Sequence, residues 1–215
     1  MRFQHYKLGL ILVTLFLAAC TGGGGPSTSA VNSESSTSRA EAAPTANATP
    51  AASPSAPKLD VPYVPTHQSI VDEMLRMAEV KADDILYDLG SGDGRIPITA
   101  AQRYGTRGVG IDLNPERVKE ANEKAQKAGV TDKVRFIEGD IFKEDFSEAT
   151  VLTLYLLPQV NLKLRPTILQ MKPGTRVVSH NYHMDDWEPE KTKEMKTPDG
   201  ETHYIYFWRV PERKE

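Results

Sequence analysis

The chain has 215 residues, a formal net charge of −3 and a single cysteine, Cys20. Residues 1–57 hold Arg2, Lys7 and Arg39 against Glu34 and Glu41, a balance of +1, so the remainder carries about −4. That charge argues against a nucleic-acid partner, which usually needs a basic face; one cysteine excludes an intrachain disulfide, and five scattered histidines have no zinc spacing, so no metal site is expected.

Residues 1–20 read as an address. Arg2 and Lys7 precede an apolar run from Leu8 to Ala19, too short for a comfortable membrane span. The run ends in Leu17-Ala18-Ala19-Cys20, which resembles a bacterial lipobox and implies cleavage before Cys20 and lipid attachment to its sulfur. The expected location is then the cell envelope, with Cys20 as a membrane anchor; an ordinary signal peptide or an uncleaved anchor is the plainer alternative. Residues 21–57 are almost all Gly, Ser, Thr, Ala and Pro, and bury too little apolar surface to offset the entropy of ordering, so they read as a flexible tether. Residues 58–215 are the size of one ordinary domain.

Within that domain, apolar residues at helical spacing place a helix at about 67–79. Asp84 to Gly90 is a short apolar strand running into glycines. Arg95 to Tyr104 reads as a helix closed by Gly105, and Gly108 to Asp112 as a second strand. Asn114 caps a helix that has Pro115 at its first position and Gly129 at its end. Val134–Glu138 and Thr150–Leu156 are the third and fourth strands. Pro158 opens a further helix, which Pro166 should kink or split. Thr175–Ser179 is the fifth strand, and a weaker strand around 187–195 pairs with an aromatic one at 202–210 as a closing hairpin. The alternation implies an α/β fold with a parallel sheet, whose ligands sit beyond the carboxyl ends of the strands.

Asp88-Leu89-Gly90-Ser91-Gly92-Asp93-Gly94 lies between the first strand and the next helix. Glycines there permit a tight turn and a close approach of backbone N–H groups to a ligand. The spacing differs from the dinucleotide Gly-x-Gly-x-x-Gly pattern, and Asp88 and Asp93 would repel a pyrophosphate while favouring an ammonium and a sulfonium. Asp112, followed by Leu113, ends the second strand, where an acid can accept from both ribose hydroxyls. Asp140 and Ile141 follow the third strand, where an adenine amino group can be read. Together these features point to S-adenosylmethionine.

With these residues in place, the sequence resembles a class I methyltransferase. More narrowly it resembles the lysine methyltransferases that act on the ATP synthase c-subunit and the adenine nucleotide translocase. Pro62-Tyr63-Val64-Pro65-Thr66, Asp88 to Ile96, Gly110 to Pro115, Tyr155-Leu156-Leu157-Pro158, Leu164-Arg165-Pro166 and Arg176 to Ser179 carry the resemblance. It implies a Rossmann-like, seven-stranded, mostly parallel sheet of order 3-2-1-4-5-7-6 with helices on both faces, and methyl transfer from S-adenosylmethionine. Leu156-Leu157-Pro158 stands where amino-adenine and glutamine methyltransferases carry Asn-Pro-Pro-Tyr/Phe, which argues against those activities.

The residues expected to hold the cofactor are Thr66, Asp88, Gly90, Ser91, Gly92, Gly94, Asp112, Leu113, Asp140 and Ile141, with Thr66 or Gln68 on the methionine carboxylate. Tyr155, His180 and Asn181 are the catalytic candidates: Tyr155 as a wall or hydroxyl near the methyl, or else a core aromatic; His180 as a base, or else a structural histidine. Tyr63 either covers the cofactor or staples the first helix. Three readings stay open for the acceptor: a protein lysine, a small molecule, or no acceptor at all in a lipid-anchored binding module. The last follows from a conflict, because an exported domain is separated from cytoplasmic S-adenosylmethionine. A start at a later non-methionine codon, such as Val31 or Val61, would make the protein cytoplasmic.

Overall fold

The computed structural model describes residues 63–213. The leader, Cys20 and the 21–57 linker lie outside the described residues. The elements follow in chain order as α1 (Gln68–Met77), β1 (Ile85–Leu89), α2 (Arg95–Tyr104), β2 (Arg107–Asp112), α3 (Pro115–Ala128), β3 (Val134–Glu138), β4 (Val151–Leu154), α4 (Pro158–Leu169), β5 (Arg176–His180), β6 (Lys191–Lys196) and β7 (Thr202–Arg209). They form one seven-stranded sheet of order β3-β2-β1-β4-β5-β7-β6. Strands β1 to β5 pair in parallel, and β7 runs antiparallel between β5 and β6.

Period-two alternation sorts the strand side chains between two cores. Leu86, Val151, Val178, Ile205 and Phe207 pack with Ile70, Met74 and Leu75 of α1 and with Ile96 and Ala100 of α2. Tyr87, Leu89, Leu152, Leu154, Val177 and Trp208 face the other way, onto Val160, Leu164 and Ile168 of α4. Parallel strands covered on both faces read as unbroken apolar runs; all four residues of β4 are buried. The start of α3 behaves as its sequence predicts: the Asn114 side chain accepts from Glu116 N–H, and Pro115 takes the first position.

Pro166 does not split α4; the helix is continuous to Leu169. Pro166 removes the hydrogen bond to the carbonyl of Leu162. Both residues lie on the exposed side of α4, where water can take the freed acceptor. No helix among the described residues is long and apolar enough to cross a membrane.

Candidate active site

One cleft opens at the carboxyl ends of β1, β2, β3 and β4. Its walls include Tyr63 and Thr66 before α1, Asp88 at the end of β1, Gly90, Ser91 and Gly92 after it, Asp112 and Leu113 after β2, Asp140, Ile141 and Phe142 after β3, and Tyr155, Leu156 and Val160 after β4. Nine of the ten expected cofactor positions therefore share one cavity; Gly94 is the tenth and lies outside the lining. It instead begins α2 in the left-handed conformation, at φ 75°, and a Cβ there would sit 2.5 Å from Phe136 and 2.9 Å from Ala121. Gly94 is needed for close packing of helix on strand rather than for ligand contact.

The glycine loop does not present its N–H groups to the cleft as its sequence suggests. Gly90 and Ser91 N–H donate to the Ile111 carbonyl at 2.8 and 3.0 Å, and Gly94 N–H to the Ser91 carbonyl at 2.9 Å. Gly92 N–H donates to Asp112 Oδ2 at 2.7 Å, and Asn114 N–H to Asp112 Oδ1 at 2.9 Å. The loop ties β1 to β2 and fixes the Asp112 carboxylate at the strand tip. Gly92 itself adopts φ 53°, and a Cβ there would come within 2.5 Å of the Tyr63 ring. Arg117 lies over that ring at 4.6 Å.

The acids divide into two kinds. Asp88 is buried with the Thr153 hydroxyl donating to it at 2.8 Å. Burial pushes its carboxyl up to about 7; the Thr153 bond opposes this, and the charges of Asp112 and Asp93 reinforce it. Asp93 is also buried, yet Arg95 and Lys124 both hold it, at 2.7 and 2.5 Å. Burial alone would raise Asp93, but the hydrogen bonds and charges of its two partners outweigh it and hold it well below the usual carboxylate range. Asp93 is thus neutralised within the protein, contrary to the expectation that its charge serves a cationic ligand. Asp140 accepts from Phe142 N–H at 3.0 Å and pairs with Lys143 at 2.9 Å. The Lys143 contact, then the backbone bond, lower its pKa.

Of the catalytic candidates, only Tyr155 lines the cleft. Burial raises its phenol further, so it stays protonated at neutral pH. His180 lies behind it, 1% exposed, with ring centroids 3.9 Å apart. Its Nε2 is 3.0 Å from His203 Nδ1 and its Nδ1 is 3.3 Å from Thr66 Oγ1. Burial, then the neighbouring His203, push His180 down to about 3, so it stays neutral and takes up a proton poorly. Asn181 adopts φ 61° and is pinned to β7 by Tyr204, whose carbonyl accepts from Asn181 N–H at 2.7 Å. Gln68 is bound to Asp72 and Thr99. Arg95, Lys124 and His203 were not among the expected site residues. Arg95 also donates to the Thr66 carbonyl at 2.6 Å, which seats the segment before α1 on the loop.

The cleft suits S-adenosylmethionine on its own chemistry. Its polar lining includes the carboxylates Asp88, Asp112 and Asp140, its flanks at Leu113, Ile141 and Leu156 are apolar, and Asp112 stands at the tip of β2. Comparison with known proteins agrees. Residues 88–191 match the model of the ANTKMT methyltransferase domain. A protein-lysine N-methyltransferase of Saccharolobus islandicus (strain REY15A) is 45% identical over 157 residues, covering 72% of this chain and 96% of that protein. The lysine N-methyltransferase of the ATP synthase c-subunit from Mus musculus is 32% identical over 67% of this chain and 58% of its own length. A solved structure from Salinibacter ruber, described as an RNA methyltransferase in complex with S-adenosyl-L-homocysteine, is 52% identical, with a TM-score of 0.67 over 71% of this chain and 97% of its own. With that near-complete match and this cleft, the chain belongs to the ANTKMT methyltransferase family, class I enzymes whose methyl donor is S-adenosylmethionine.

Proposed function

We propose that the protein transfers a methyl group from S-adenosylmethionine to the side-chain amine of a protein lysine. The observation that carries this reading is the apolar side of the cleft beyond β4, where Tyr155, Leu156 and Val160, with Phe142, give a flank fit for an alkyl stem. The acceptor side of the fold is also aromatic. Tyr155 and Tyr182 stack there with ring centroids 6.3 Å apart, and Asp185 and Glu188 are exposed in the segment after β5. The names of the Saccharolobus and mouse relatives point the same way.

When bound, the sulfonium supplies a methyl group already activated for transfer. The chain therefore contributes mainly alignment of acceptor, methyl and sulfur. Only about one amine in a few thousand is neutral at pH 7, so the apolar flank, by disfavouring an ammonium, helps expose the lone pair. The Tyr155 hydroxyl, neutral at that pH, orients the amine. Asp88 and Asp112 hold the cationic amino-acid and ribose ends of the cofactor, and Asp140 its adenine; Gly90, Ser91, Gly92, Leu113 and Ile141 shape the cleft around it.

A second reading, RNA as acceptor, is favoured by how the Salinibacter relative is described. The net charge of about −4 beyond residue 57 speaks against it. Incubating the full chain with methyl-labelled S-adenosylmethionine and a cell lysate separates the readings. Label that survives ribonuclease, is lost to protease and co-elutes with methyl-lysine after hydrolysis is expected. Ribonuclease-sensitive label would overturn the lysine reading, and a new labelled dialysable compound chromatographically distinct from S-adenosylmethionine would point to a small molecule.

We also propose that the mature protein is anchored in the cell envelope through lipid on Cys20. The basic start, the apolar run and Leu17-Ala18-Ala19-Cys20 support it. Processing blocked by globomycin is expected; unchanged processing would remove the anchor.

A further inference from the structure

The hydrogen-bond partners behind Tyr155 fix the direction of one hydroxyl in the cleft. Tyr204 N–H donates to Asn181 Oδ1 at 2.9 Å, so the other end of that amide, Nδ2, is the one that faces His203 Nδ1, at 3.4 Å. An amide nitrogen only donates, so His203 Nδ1 is the bare, accepting nitrogen. The other ring nitrogen of His203 faces the Glu201 carboxylate at 3.8 Å, which also favours the proton on Nε2. His180 Nε2, 3.0 Å from the same bare nitrogen, must then be a donor. A neutral imidazole carries one N–H, so His180 Nδ1 is bare in turn. The Thr66 hydroxyl, 3.3 Å away, is left to donate to it. The proton of Thr66 therefore points into the protein, and the cleft meets only the lone pairs of its oxygen.

We propose that His180, backed by His203 and Asn181, is a positioning residue that makes Thr66 a hydrogen-bond acceptor for the ammonium of the cofactor's methionyl end. Thr66 and Asp88 line the same cleft, and the proposal assigns both as acceptors to that end of the cofactor. This reverses the sequence-based expectation that Thr66 donates to the methionine carboxylate. The inference rests on S-adenosylmethionine as the cofactor. It also explains why a buried, proton-poor histidine sits at the end of β5 without touching the cleft.

Calorimetric titration of the full chain with three ligands tests it: S-adenosylhomocysteine, its analogue without the carboxylate and its analogue without the amino group. Thr66→Val and His180→Phe are each expected to weaken the two amino-bearing ligands about tenfold and to leave the des-amino ligand within about twofold. A loss that follows the carboxylate instead would overturn the proposal while sparing the cofactor assignment. Equal losses for all three ligands would reduce His180 to a packing role and overturn it as well. Should His180→Phe fail to fold, nitrogen NMR of the unsubstituted chain reads the tautomer directly. A proton on His180 Nε2 supports the inference and a proton on Nδ1 refutes it. If the unsubstituted chain bound none of the ligands, the cofactor assignment would fall first and this inference with it.

Discussion

Strands β1 to β3 and strands β5 to β7 contribute to the same end of the sheet by different means. On the first side, short loops follow each strand, and a carboxylate stands at or just past each tip: Asp88, Asp112 and Asp140. Some of their partners are local, such as Asn114 for Asp112 and Phe142 for Asp140, while Thr153 for Asp88 and Gly92 for Asp112 come from elsewhere in the chain. On the second side the pairing turns antiparallel, and aromatic rings take over. Trp208 packs with Trp187 and Tyr206, and Tyr155 with His180 and Tyr182. Apart from the Tyr206–Trp208 pair within β7, these contacts join different elements. The cofactor half is thus organised by charge and backbone, while the acceptor half is organised by volume and ring packing. Substitutions should therefore fail differently on the two sides.

The largest effect expected is on the aromatic side. Trp208 is fully buried, and its indole N–H donates to the Trp187 carbonyl at 2.6 Å. Trp208→Ala should cost about 3–5 kcal/mol of stability in denaturant unfolding. The affinity of the remaining folded protein for S-adenosylhomocysteine should be little changed, because Trp208 does not line the cleft. Lost affinity in the folded fraction would mean that the two halves are not separable in this way. On the charged side, Asp93→Ala leaves Arg95 and Lys124 facing each other around a buried gap. Both cations reach solvent and Lys124 keeps Glu120 at 2.8 Å, so the cost should be about 1–2 kcal/mol by the same measurement. That loss should shrink when Lys124 is also replaced.

The pH response extends the same contrast at smaller scale. Asp88 has a raised pKa, so below about 7 it is protonated and must release a proton before a cationic ligand gains from its charge. Affinity for S-adenosylhomocysteine should therefore rise with pH, by about tenfold between pH 6 and 8, and Asp88→Asn should flatten the profile. For the ligand-free protein the sign is opposite. Between the ordinary aspartate value of about 4 and about 7 the native state binds more protons than the unfolded one, so Asp88 lowers stability as pH rises through that window.

What could be read in advance follows the same division. The fold was legible because parallel strands buried on both faces give apolar runs, and because Asn114, Pro115, Gly105 and Gly129 mark helix ends through local chemistry. Asp112 and Asp140 were legible because a strand tip is defined by its own few residues. Arg95, Lys124 and His203 were not, since each acts on a partner across the fold. Asp93 meets Lys124 across two elements, and His203 meets His180 across a strand pair whose register no local pattern states. The direction of the loop N–H groups was misjudged for the same reason, because their acceptors, Ile111 and Asp112, belong to the neighbouring strand. A split at Pro166 was one of two expectations, a kink being the other, because a missing N–H can be tolerated only where the freed carbonyl reaches water.

The division of labour is tested most directly at Asp112, which holds the loop and the strand tip together. Titrating S-adenosylhomocysteine into the full chain and into Asp112→Ala should show most of the binding heat lost in the variant while its unfolding transition is retained. Equal heats from the two proteins would contradict the account.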